Sequence, residues 1–159
     1  MRISAPIMDS IYAMKEEAVM TKMMKAVRQH AFGGPEVMRY EDAPIPDPGP
    51  GEIRVRVHAV GINPPDWYLR DGYRMLPPEW QPQISFPVIL GTDISGVVDA
   101  VSDDVTGFAP EDDVYAMVRF PSGLAGGSRA YAQYVTVPAS EAAPKPDGID
   151  HVHAAGGPM

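Results

Sequence analysis

The 159-residue sequence contains no cysteine, which removes disulfides, thiol nucleophiles and thiolate metal sites in one step. A zinc ion would have to be held by histidine and carboxylate. Positive charge is also scarce: Lys and Arg total 13 against 21 Asp and Glu, for a formal net charge of -8. No basic cluster interrupts that acidity, so the sequence offers no electrostatic footprint for nucleic acid or an anionic membrane. No apolar run approaches the length that crosses a bilayer, and the N-terminus lacks a basic region followed by a continuous hydrophobic stretch. A cytoplasmic location is the resulting expectation. Leucine is rare as well, four residues against 16 valines and 10 isoleucines, while 18 prolines and 15 glycines break the chain at short intervals. This balance favours short strands and tight turns in a single domain over long helices.

The first 23 residues carry five methionines, with Ile11, Met14, Ala18 and Lys22 at helical spacing, and read as an extension that is helical or loose. From Met24 the texture becomes strand, turn, strand, loop, strand. In "GEIRVRVHAVGI" the apolar Ile53, Val55 and Val57 alternate with Arg54, Arg56 and His58, the period of a strand with one wet face. His58 is thus expected on a strand surface. The stretch "PVILGTDISGVVDAV" supplies two strand-like pieces around Gly91-Thr92-Asp93, with Gly96 where a Cβ would crowd a neighbour or break the pleat. "EDDVYAMV" and "AYAQYVTVP" supply two more, separated by "RFPSGLAGGSR", read as a structural loop. Five to seven strands with little helix predict a mainly β, partly open barrel. Near the end, Asp150 is placed to cap a helix starting at His151. His151 and His153 would then point to different sides, a poor spacing for a shared metal.

One segment does not reduce to scaffold. "VGINPPDWYLRDGYR", residues 60 to 74, follows a strand with two prolines and then Asp66, Trp67, Tyr68, Arg70 and Tyr73. Asn63 and Asp66 suit a turn or helix cap, and on that reading Asn63 caps a short helix while Trp67 and Tyr68 pack as core. The polar aromatics also suit a ligand surface. The two readings do not exclude each other.

The segments "MKAV", "PGPGEIRVRVHAVGINPPD", "P.ILGTDISGVV", "F.PEDDVYA", "AYAQYVTVPAS" and "KPDGID", in this order, resemble the N-terminal catalytic domain of the medium-chain dehydrogenase/reductase superfamily, whose barrel is GroES-like. The resemblance divides the chain into an extension at 1–23, a GroES-like catalytic domain at 24–148, and the start of a connection at 149–159. It further implies that a Rossmann cofactor domain follows in such enzymes and is lacking from these residues. The glycines of "GLAGGSR" do not replace it, because strands lie on both sides of them.

In the zinc alcohol dehydrogenases of that superfamily, Cys and His stand where this chain has Asn63 and Thr92. The match is closer to the zinc-independent quinone oxidoreductases, similar in "N..D.Y.R.G", which Asn63, Asp66, Tyr68, Arg70 and Gly72 fit in turn. Two departures stand out. A turn usually written Gly-Asp-Arg is Glu111-Asp112-Asp113, and a second tyrosine common in these reductases falls where this chain has Arg74. The resemblance implies NADPH as cofactor, no zinc, a quinone or α,β-unsaturated carbonyl as substrate, and a homodimer of the full-length enzyme. It assigns Asn63 and Tyr68 as catalytic, Asn63 also to the nicotinamide and ribose, and Arg70 and Tyr73 to the substrate mouth. The alternative is a non-catalytic GroES-like binding or co-chaperone-like module, since fold alone does not fix function.

Overall fold

The computed structural model describes residues 22–81, 83–118 and 130–158. The expected N-terminal extension, as far as residue 21, and the loop read in "RFPSGLAGGSR" lie outside the described residues. Eight strands run in chain order: β1 (Met23–Gln29), β2 (Met38–Pro44), β3 (Glu52–Val60), β4 (Val88–Ile89), β5 (Asp93–Val101), β6 (Asp113–Met117), β7 (Tyr134–Pro138) and β8 (Ala142–Pro144). They form a three-stranded sheet β2-β1-β4 and a five-stranded sheet β7-β3-β5-β6-β8, antiparallel throughout. The larger sheet curls into the expected partly open barrel. β8 was not anticipated. It is three residues ending in proline, and it pairs with β6 through Ala142, Ala143 and Pro144 where the proline spacing reads as a stop.

The alternation in β3 has the predicted consequence. Ile53 and Val55 are fully buried, packed with Ile94 and Val98 of β5, Val114 of β6 and Val135 and Val137 of β7, while His58 is exposed. Two register shifts interrupt the β3–β5 ladder, leaving Asp99 and His58 as extra residues. Bulges of this kind bend a strand and raise its twist, which is how a flat ladder becomes a curved wall. Gly96 sits opposite Val57 in the bent region, and a Cβ there would overlap the carbonyl oxygen of Arg56.

Two short helices complete the chain. The segment Pro64–Asp71 is α1: Asn63 holds the N-cap position, Pro64 takes the first turn, and Gly72 ends the helix at φ 80. Leu69 on its inner face is buried against Val88 and Leu90. The segment His151–Ala154 is α2, and its Asp150 cap accepts from the His153 N–H at 2.8 Å, as the sequence suggests. It packs on β3 and β5. The buried Ser95 hydroxyl donates to the Val114 carbonyl at 2.9 Å, which leaves its oxygen to accept from His151 Nδ1 at 2.7 Å. The His151 ring also lies 4.6 Å from that of His58, whereas His153 is turned outward to Asp150.

The turn before β6 places a glutamate where glycine is the easier residue. Asp112 accepts from the Ala109 N–H at 2.8 Å, and the Glu111 N–H donates to Val98 at 2.9 Å. Glu111 therefore adopts φ 75, in the left-handed region where a side chain collides with its own backbone. Replacing Glu111 with Gly is expected to raise unfolding free energy by about 0.5–1 kcal/mol, the relief of that collision less the added freedom of the unfolded chain. Urea denaturation measures it. A variant no more stable than the parent would mean that the turn holds no strain.

Candidate active site

The site lies where β3 leaves the barrel and β5 begins. Val60 pairs with Ile94, and the Gly61 N–H donates to the Asp93 carbonyl at 3.0 Å, so the chain enters α1 directly beside Thr92 and Asp93. Asn63 is half-buried, and its side-chain nitrogen donates to Asp93 Oδ2 at 3.0 Å and to Thr92 Oγ1 at 3.4 Å. Thr92 and Asp93 are fully buried. The two positions singled out by the resemblance thus face each other as an amide and a hydroxyl. Among the described residues, no three histidine or carboxylate side chains converge into a group that could hold a metal ion.

Asp66 is the hub that the sequence offers only as a turn or cap residue. Its Oδ2 accepts from the Asn63 backbone N–H at 2.8 Å and from the Tyr131 hydroxyl at 3.0 Å. It is 4% exposed. Burial holds the Asp66 carboxyl above the usual carboxylate range, and the negative charge of Asp93 adds to this; the N–H groups of Asn63 and Gly91 and the Tyr131 hydroxyl pull it back part of the way. Burial likewise pushes the Tyr131 phenol well up, with the charge and hydrogen bond of Asp66 adding to it.

Two other tyrosines stand close by. The Tyr68 ring lies 4.4 Å from that of Trp67 and 5.9 Å from that of Tyr73. Burial raises the Tyr73 phenol, and Asp66 and Tyr68 raise it further. Tyr73 reaches this place at φ 51, immediately after the left-handed Gly72, with its N–H donating to the Tyr68 carbonyl at 2.8 Å. Asn63 and Tyr73 therefore stand by Asp66, with the Tyr68 ring beside Tyr73. Arg70 donates from Nε to the Gly33 carbonyl at 3.3 Å, tying α1 to the loop after β1, and lies near enough for its charge to oppose the rise of the Tyr131 phenol. Arg74, in the place of the second family tyrosine, pairs with Asp71 on the surface. Beside the site, Tyr131 also lines a cleft of about 420 Å³ with Val27, Met38, Val60, Ile62 and Ala132.

Comparison with known proteins places these residues in a family context. Residues 49–147 match the alcohol dehydrogenase GroES-like domain. A quinone oxidoreductase of Sus scrofa is 38% identical over 112 residues, which is 70% of this chain and 31% of that protein. The structure of the quinone oxidoreductase from Coxiella burnetii superposes with a TM-score of 0.74 at 29% identity, over 87% of this chain and 42% of that one. A mycobacterial protein complexed with NADPH superposes with a TM-score of 0.68 at 32% identity, over 83% of this chain and 37% of that one. The chain spans about a third of the length of the curated relatives it matches.

The raised Asp66 carboxyl has a measurable consequence. Between its folded value and the unfolded value of about 3.9, the folded chain binds more protons. Asp66 therefore adds stability as pH falls through that window and removes it as pH rises through the folded value. The wild type should gain unfolding free energy relative to Asp66→Asn when urea titrations at pH 7 and pH 4 are compared. A difference that stays constant with pH would show an ordinary carboxyl.

Proposed function

The chain belongs to the alcohol dehydrogenase GroES-like domain family, and from that premise we propose that it forms the catalytic domain of an NADPH-dependent oxidoreductase that reduces quinones or α,β-unsaturated carbonyls without zinc. The observation that carries this reading is the Asn63 amide, fixed between Thr92 and Asp93, with the Tyr68 phenol on the same helix and the Tyr73 phenol just past its C-cap.

The donor set favours this chemistry. Amide and hydroxyl side chains are poor zinc ligands, so Asn63 and Thr92 do not suit a Lewis-acid mechanism. A simple ketone that gains hydride becomes an alkoxide, which needs such an acid; a quinone or enone spreads the charge as a phenolate or enolate, for which hydrogen-bond donors suffice. The half-buried Tyr68 donates to the oxygen that gains charge. Tyr73 shapes the mouth, and Arg70 acts there through its hold on Gly33. NADPH, when bound, supplies the hydride. The residue here proposed to meet its nicotinamide and ribose is Asn63, whose amide nitrogen is held by Thr92 and Asp93 at the start of β5. Small molecules are the proposed partners, and a homodimer and a cytoplasmic location accompany the proposal.

The test uses the chain joined to the cofactor domain of a relative. Tyr68→Phe keeps the ring and removes the hydroxyl, and turnover of a quinone should fall roughly 10²-fold with cofactor affinity nearly unchanged. Normal turnover in this variant would sink the role of Tyr68.

A further inference from the structure

The backbone of Tyr131 is fixed from two sides. Its N–H donates to the Leu90 carbonyl at 2.9 Å, and its carbonyl accepts from the Val27 N–H at 2.8 Å, so one residue bridges β1 and the segment between β4 and β5. Its ring lies on Gly91, at φ 94, where any Cβ would collide with the ring carbons. From this anchored position the hydroxyl reaches across the barrel mouth to Asp66 Oδ2, the same oxygen that accepts the Asn63 N–H. The other tether of Asn63 is the Asp93 carboxylate, whose second oxygen is buried and has no hydrogen-bond partner among the described residues.

We propose that Tyr131 is a positioning residue: through Asp66 it fixes the backbone of Asn63, and so the direction of the Asn63 amide, at the mouth of the barrel. The proposal rests on the reading of Asn63 as a residue that meets cofactor or substrate. Its physical basis is that α1 has only eight residues and cannot hold its own N-terminus still. The Tyr131 hydroxyl reaches Asp66 Oδ2 from a distant part of the barrel, 65 residues along the chain, and the Gly91 N–H, which lies under the same ring, is the other distant donor to that carboxyl. Without the Tyr131 hydroxyl the carboxylate loses one of its links outside the first helical turn, and the Asn63 backbone is held less firmly.

The primary test needs neither cofactor nor substrate. In the 159-residue chain, Tyr131→Phe should displace the NMR signals of the Asn63 side-chain amide. It should also move the Asp66 carboxyl titration upward, because burial remains while one donor is lost. A lower melting temperature with both signals unchanged would reduce Tyr131 to a packing residue and overturn the proposal. Should Tyr131→Phe fail to fold, Asp66→Asn probes the same link from the other end: the Tyr131 phenol should titrate closer to its ordinary range, and an unchanged titration overturns the proposal. In the chain joined to a relative's cofactor domain, Tyr131→Phe should lower kcat about tenfold, the factor carried by one hydrogen bond, with KM for the quinone little changed. Failure of the Tyr68 assignment would leave the NMR outcome untouched, so the two ideas fall separately.

Discussion

The buried carboxylate of Asp66 ties the helix to the barrel in a fixed direction. An eight-residue helix is not stable alone, and most of its stability has to come from what it touches. Leu69 supplies the apolar contact, and Asp66 supplies the directional one. Burying a carboxylate is unfavourable unless donors replace the lost water. Here the N–H groups of Asn63 and Gly91 and the Tyr131 hydroxyl do so in part, and the bond to Asn63 carries that link into the backbone of the site. Stability and site geometry are therefore one constraint at this position.

The barrel makes that constraint usable by bringing distant segments into register. Asn63 meets Thr92 and Asp93 across 29 and 30 residues because the end of β3 and the start of β5 are paired neighbours. The bulge at His58 lies just before that point, where it bends β3 and frees a ring for contact with His151. α2 is thereby seated on the same two strands through Ser95. The polar site at one end of the ladder and the docked C-terminal helix share a single curved wall, so a change in twist at Gly96 or His58 would be felt at both.

Local features were legible in the sequence because their causes are local. The β3 alternation, the crowded Gly96, the cap at Asp150 and the short helix after Asn63 each follow from residues within a few positions of one another. The four residues assigned by resemblance show where such reading stops. Asn63 is bonded to Asp66 and the Tyr68 ring lies by that of Tyr73, while Arg70 is also bonded to Gly33, a partner 37 residues away that no pattern in α1 announces. Tyr131 is a sharper case. In "AYAQYVTVP" it looks like one more strand aromatic, and nothing near it shows that its hydroxyl ends on Asp66. β8 escaped because three residues beside prolines carry no periodicity, and their place is set by β6.

The buried polar groups of the site argue against packing as their sole reason for being there. Asp66 and Asp93 lie close enough for the charge of Asp93 to raise the carboxyl of Asp66, and Asp93 keeps one buried oxygen unpaired among the described residues. Apolar residues of similar volume would fill the same space at lower electrostatic cost. A fold shaped by stability alone would have no use for two carboxylates and an amide in this arrangement; the proposed site, which stabilises developing charge by an oriented donor rather than a metal, would use the carboxylates to hold that donor. Donors lose strength steeply with misdirection, unlike a cation, so such a site needs rigid orientation above all. Tethers from Asp66 and Asp93 to the two ends of Asn63, its backbone and its side chain, supply that rigidity at the point where the barrel opens.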